Sequence, residues 1–271
     1  MNNLQGSPKG KVYLVGAGPG EPELITLRGA KILKKSEVVV YDRLANSEIL
    51  AMTPEHSEHI YVGKKPGRPS VSQQQINRIV ISKAQEGKTV VRLKGGDPFI
   101  FGRGGEECEA LRRAGISYEI VPGLSSVLAA PAYAGIPLTH RRYGRSFTVV
   151  TGHTVAGSEH FDNWEHLANA DTLIILMGLK NLAVIASTLV QLGKEADTPA
   201  AVIENATYQH QRTIIGTLND IAEKTDHLLP PATIVVGDLV SLSNDLAWFG
   251  NDEAENQTIK QDSQLFSNFA G

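Results

Sequence analysis

Three short stretches of this chain combine residue types that can do chemistry. Gly16-Ala17-Gly18-Pro19-Gly20 follows the β-rich run Lys11 to Val15, Asp42-Arg43 closes the run Glu37 to Tyr41, and Gly95-Gly96-Asp97-Pro98 follows the run Thr89 to Leu93. Glycine lets the backbone approach a ligand where a Cβ would block it, and an acid at a strand end stands where α/β sheets collect their ligands. A dinucleotide site would use the same parts, a glycine loop after one strand and an acid after the next. The spacing argues against it. The third glycine of G-x-G-x-x-G would fall at position 21, which is Glu21, while Pro19 and Pro22 stiffen the turn. Glu21 and Glu23 also put negative charge where a pyrophosphate would lie. S-adenosylmethionine carries a sulfonium, an amine and a carboxylate but no phosphate, so an acidic rim suits it better.

Cations occur in clusters: Lys64-Lys65 with Arg68, Arg103 within the loop Lys94 to Gly105, and His140-Arg141-Arg142 with Arg145. The formal net charge is -3, so no general field draws nucleic acid to the chain, and an anionic small molecule would be met by these local groups. The single cysteine, Cys108, excludes an internal disulfide and a cysteine-rich metal site, and it reads as a packing residue in a helical stretch. His153 has no spaced partner, so no metal is expected. The first ten residues are polar and lack the apolar core of an export signal. No uncharged apolar run approaches the roughly 18 residues of a membrane span. The expectation is a cytoplasmic protein without a membrane or nucleic-acid partner.

The elements that must carry these groups follow from periodicity and punctuation. Strand, glycine turn, the helical spacing of Leu24, Leu27, Ile32 and Leu33, and a second strand at Glu37 to Tyr41 make a βαβ unit with a parallel sheet. A helix capped by Ser47, a strand at His59 to Val62, a long helix over Ser72 to Glu86, the strand Thr89 to Leu93, a helix over Glu106 to Ala114 and a strand at Tyr118 to Val121 complete the first part. From Ser146 the pattern changes to strands at 147–150, 172–176, 200–204, 212–217 and 233–236 with helices at 182–192 and 218–227, of more antiparallel character. A chain of 271 residues, 41% hydrophobic and 20% charged, has room for two globular lobes. The expected division is a loose tail over 1–10, an α/β lobe over 11–139, a second over 140–249 and a loose tail over 250–271, with the hinge in the Gly- and Pro-bearing stretch Ala134 to Arg145.

Five ordered motifs resemble those of the tetrapyrrole methylase family: Gly16-Ala-Gly-Pro-Gly-Glu-Pro22, Tyr41-Asp42-Arg43-Leu44, Val62-Gly63-Lys64-Lys65, the run Val91 to Gly104, and Gly135-Ile-Pro-Leu-Thr-His-Arg141. The resemblance spans roughly Lys11 to Phe249 and is strongest to the branch that methylates uroporphyrinogen III. It implies a two-lobed α/β fold, each lobe a mixed sheet with flanking helices, with the active site in the cleft between lobes, and a homodimer. It implies transfer of two methyl groups from S-adenosylmethionine to give precorrin-2 and S-adenosylhomocysteine, feeding sirohaem or cobalamin synthesis, without a metal. By motif, the cofactor contacts would be Pro19, Gly95, Gly96, Asp97, Ile100, Ser125, Ser126, Met177 and Ala206. The family often has Thr-Ala at Ser125-Ser126 and Gly at Ala206. Asp42 matches the proton acceptor and Lys64 the proton donor, while Lys65, Arg103 and Arg141 would bind the substrate's carboxylates. Two other readings stay compatible with the residues: Asp42 as a turn residue, and Lys64 as a carboxylate anchor. A sister methylase with another substrate, or a nucleotide-binding protein, would carry some of the same loops.

Overall fold

The computed structural model describes residues 9–63, 71–153 and 164–250. The loose tails expected at the two ends, and Lys64, Lys65 and Arg68, fall wholly or almost wholly outside the described residues. The chain divides after Ala129 into two compact units, each built on one five-stranded sheet.

The first unit runs β1 (Lys11–Gly16), α1 (Leu27–Leu33), β2 (Val38–Tyr41), β3 (Glu58–Tyr61), α2 (Gln73–Gln85), β4 (Val90–Lys94), α3 (Gly104–Arg113), β5 (Ser117–Val121) and the start of α4 (Ser126–Tyr133). Its strand order is β3-β2-β4-β1-β5, and every pairing is parallel. A mixed sheet was expected of each lobe; here the crossovers all pass through helices or long turns, which returns each strand in the same direction. Both faces are covered, so the strands are apolar along their length. Val12, Leu14, Val38, Val40 and Val90 pack with Ile76, Val80 and Ala84 of α2 and with Leu111 of α3. Val15, Val39, Val91 and Leu93 pack on the other side with Leu33 and Ile49. Ser72 starts α2 with a reciprocal cap: its Oγ accepts from Gln75 N at 3.2 Å, and Gln75 Oε1 accepts from Ser72 N at 2.8 Å.

Two helical expectations change in detail. The stretch from Leu24 becomes a 3-10 turn, Pro22–Leu24, followed by α1 capped by Thr26, whose Oγ1 accepts from Gly29 N at 3.1 Å. The helix expected after Ser47 is a 3-10 segment, Ser47–Met52, and its cap is Asn46 rather than Ser47, because Asn46 Oδ1 accepts from Glu48 N at 2.9 Å.

The second unit contains β6 (Thr148–Thr151), β7 (Leu173–Leu176), α5 (Leu182–Gln191), β8 (Pro199–Glu204), β9 (Arg212–Thr217), α6 (Ile221–Lys224), β10 (Ala232–Val236) and α7 (Ser243–Leu246). The order is β6-β7-β10-β8-β9, with β6 and β7 parallel and the remaining pairs antiparallel. The helix expected over 218–227 shortens to α6, since Asp220 turns its carboxylate back onto Thr217 N at 2.8 Å. One face of the sheet packs against α5 through Ile185, Ala186 and Leu189. The other packs Ala201, Ile203 and Val235 against Ala130, Ala134 and Ile136. The latter half of α4 therefore belongs to this core, in keeping with the division after Ala129.

Candidate functional site

Parallel pairing sets the C-terminal ends of β4, β1 and β5 side by side, so the loops that follow them meet. Gly18 and Gly96 exchange backbone hydrogen bonds, Gly96 N to Gly18 O at 2.7 Å and Gly18 N to Gly96 O at 3.3 Å. The third loop closes on this pair so tightly that a Cβ on Gly123 would stand 2.3 Å from Gly96 O and 2.6 Å from Gly16 Cα. Asp97 ties two of the loops together. Its Oδ2 accepts from Gly123 N at 3.0 Å and its Oδ1 from Phe99 N at 2.8 Å. Ser125 is buried and its Oγ accepts from Val127 N at 3.2 Å, where Ser126 opens α4. Pro19, Gly95, Gly96, Asp97, Ser125 and Ser126 thus come from three interlocked loops of one unit, and the half-exposed Ile100 lies further along the same loop as Asp97.

In the second unit β7 and β8 both run antiparallel to β10, and Leu176 and Ile203 both stand opposite Thr233. Met177, next after β7, and Ala206, two residues after β8, therefore lie at the same edge of that sheet. Met177 is 45% exposed, whereas Ala206 is buried. All five non-glycine residues with left-handed backbone among the described residues fall in strand-end loops named by the motifs or just beside them. They are Phe101, Arg103, Met177, Asn205 and Thr207, with φ between 48° and 70°. Such conformations cost of order 1–3 kcal/mol each and collect where a ligand is held.

Asp42 lies just past β2 and is partly buried. Its Oδ1 accepts from Leu44 N at 3.1 Å and its Oδ2 from Arg92 Nη2 at 2.9 Å. The guanidinium of Arg103 grips Glu106 at 2.8 and 2.7 Å and holds that carboxyl below its usual range. Both side chains are half exposed, so the pair is worth little to stability and can be exchanged for another carboxylate. Arg141 is exposed in a tight turn closed by His140 N to Gly144 O at 2.8 Å.

Sequence reasoning missed Arg92, Lys94 and Glu107. Arg92 Nε donates to Glu107 Oε1 at 3.1 Å, and Nη1 donates to the carbonyls of Leu93 at 2.8 Å and Val40 at 3.3 Å. Lys94 Nζ stands 3.1 Å from Glu107 Oε2, and Gln73 Nε2 donates to Glu107 Oε1 at 3.0 Å. Burial, and then the charge of Arg92, push the Lys94 ammonium down against the pull of Glu107. The available signal was two cations at alternate positions of a strand whose neighbours are all apolar.

Among the described residues no three His, Cys, Asp or Glu side chains gather as metal ligands, and no helix is long and apolar enough to cross a membrane.

The chain matches the model of the "Tetrapyrrole (Corrin/Porphyrin) Methylases" over residues 11–222. It is 50% identical over 236 residues to the uroporphyrinogen-III C-methyltransferase of Methanocaldococcus jannaschii, a match covering 86% of this chain and 98% of that protein. It is 47% identical over 251 residues to the sirohaem synthase of Nitrosospira multiformis, 92% of this chain but only 53% of that longer protein. The crystal structure of a uroporphyrin-III C-methyltransferase from Thermus thermophilus, complexed with S-adenosylhomocysteine, superposes with a TM-score of 0.75 at 40% identity, over 86% of this chain and 100% of that one. With its interlocked glycine loops inside the matched span and a full-length relative at half identity, the chain belongs to the tetrapyrrole (corrin/porphyrin) methylases.

Proposed function

We propose that this chain is an S-adenosylmethionine-dependent C-methyltransferase that methylates uroporphyrinogen III twice, through precorrin-1, to precorrin-2, which feeds sirohaem or cobalamin synthesis. The observation that carries the choice of cofactor is at Glu21. Its carboxylate accepts from Glu23 N at 3.3 Å, so the protein's own anion takes the backbone donor that a pyrophosphate would need at the first loop. A cofactor without phosphates fits what remains in the first unit: close backbone loops at Pro19, Gly95 and Gly96, the fixed Asp97, Ile100, and the α4 start at Ser125 and Ser126; the family motifs add Met177 and Ala206. When bound, S-adenosylmethionine supplies the methyl group from its sulfonium and leaves S-adenosylhomocysteine.

In this reading Asp42 takes the proton that the methylated pyrrole ring must lose, and Lys64 returns one elsewhere on the macrocycle. Lys65, Arg103 and Arg141 answer substrate carboxylates, Arg103 by exchanging Glu106 for one of them. Much of the remaining rate enhancement is positioning, since a porphyrinogen pyrrole is already electron-rich. The family resemblance supports a cytoplasmic homodimer that needs no metal, membrane or nucleic acid.

The deciding experiment is anaerobic incubation with uroporphyrinogen III and methyl-labelled S-adenosylmethionine. Two labels per extracted macrocycle are expected; no transfer by protein that still binds S-adenosylhomocysteine would assign it another substrate. Asp97→Ala removes two hydrogen bonds to a carboxylate, each worth about 1.5–3 kcal/mol, and leaves Gly123 N without its acceptor. Affinity for S-adenosylhomocysteine should fall at least about tenfold by calorimetry. Unchanged affinity would remove Asp97 and its loop from the cofactor site.

A further inference from the structure

The charges beneath Asp42 have no part in the roles assigned above. Arg92, Lys94 and Glu107 are each at least 95% buried, on the sheet face that otherwise presents Val12, Leu14, Val38, Val40 and Val90. Stability does not explain them. Taking ions out of water costs so much that apolar side chains of similar volume usually serve a core as well or better. What distinguishes the cluster is its direction. It runs from Glu107, on the buried face of α3 against Gln73 of α2, through the plane of Arg92, to Asp42, whose side chain alone reaches solvent, at 27% exposure. At its other end the Lys94 stem lies beneath the glycine loop, where a Cβ on Gly102 would stand 3.2 Å from Lys94 Cε.

A guanidinium is planar, permanently charged and able to hold one carboxylate at each end, which an ammonium on a flexible stem cannot do. With Nε bound to Glu107 and Nη1 to two backbone carbonyls, Arg92 has its plane fixed before it meets Asp42. Asp42 is then held at both oxygens, one by Arg92 and one by Leu44 N. We infer that Arg92, anchored by Glu107, is a positioning residue for methyl transfer, holding the Asp42 carboxylate in the one orientation from which it meets the ring. The inference rests on the reading of Asp42 as the proton acceptor. Proton transfer demands hydrogen-bond geometry, and a displacement of about 1 Å can cost 10²-fold in rate.

The test is a double-mutant cycle on the full chain with uroporphyrinogen III and S-adenosylmethionine. Arg92→Lys keeps the charge and loses the fork, so kcat should fall roughly 10- to 100-fold, with KM and S-adenosylhomocysteine affinity within about twofold of the parent. In an Asp42→Asn background the same change should alter kcat by less than about twofold, because no proton-accepting carboxylate is left to orient. Equal losses in both backgrounds, or an undiminished kcat in Arg92→Lys, would overturn the inference while leaving the role of Asp42 intact. Full turnover in Asp42→Asn alone would instead remove the proton acceptor, and the inference with it. If Arg92→Lys fails to fold, Glu107→Gln, which removes the anchor's charge without its shape, enters the same cycle with the same criteria.

Discussion

Asp42→Ala should lower turnover by roughly 10²- to 10⁴-fold, the usual worth of a positioned proton-transfer group, and leave the binding of S-adenosylhomocysteine within a few-fold of the parent. The hydrogen bonds of the Asp42 side chain go to Arg92 and Leu44 and not to Asp97 or Gly123, which is why the two readouts should separate. The alanine variant also strips a buried guanidinium of one acceptor, at about 1–3 kcal/mol. Asp42→Asn removes that ambiguity, because its amide oxygen can still accept from Arg92 but cannot take up a proton. Both variants should lose turnover to a similar extent, read as labelled methyl groups per macrocycle per minute. A fully active Asp42→Asn would strip the residue of its proposed chemistry.

The second large effect is expected from one methyl group. Gly123→Ala places a Cβ against Gly96 O at 2.3 Å and Gly16 Cα at 2.6 Å. Both obstacles are backbone, so no side chain can swing aside, and the three loops have to part. The expected cost is about 3 kcal/mol, the upper end for overpacking, accompanied by loss of measurable S-adenosylhomocysteine binding. Gly105→Ala is the control, since it lies in α3 and its Cβ meets nothing within 4 Å. That change should be neutral or stabilise by about 0.5–1 kcal/mol. Urea unfolding with and without ligand distinguishes the two, and parent-like stability in Gly123→Ala would show that the loops are not interlocked.

How much of this was legible in the residues depended on which force set each feature. The glycine loops were, because glycine beside proline at the end of a β-rich run leaves few alternatives; that Gly18 and Gly123 both close on Gly96 was not. The second sheet's antiparallel character was also foreseen. The Asp42–Arg92–Glu107 chain was not. Val90-Val91-Arg92-Leu93-Lys94 alternates as a strand with one wet face would, and only the packing of helices on both faces of a parallel sheet turns Arg92 and Lys94 inward. Around Gly135 and Pro137, which look like punctuation, the packing of Ala130, Ala134 and Ile136 is decided by the sheet they lie against, which no local pattern shows. Glu106 as the partner of Arg103 depends on the left-handed turn that sets Arg103 just ahead of α3, which no helical spacing announces.

The position of β1 inside its sheet also governs how the chain can be made. Its partners lie far downstream, Val12 opposite Val90 on one side and opposite Tyr118 on the other. During synthesis the run from Lys11 to Gly16 emerges with neither neighbour available, and at ordinary elongation rates Val121 follows about 5–20 s later. For that interval Val12, Leu14 and Val15, which end fully enclosed, belong to a strand with two open edges. The growing polypeptide is therefore exposed along this strand, and open to chaperone cover, until β4 and β5 close on it.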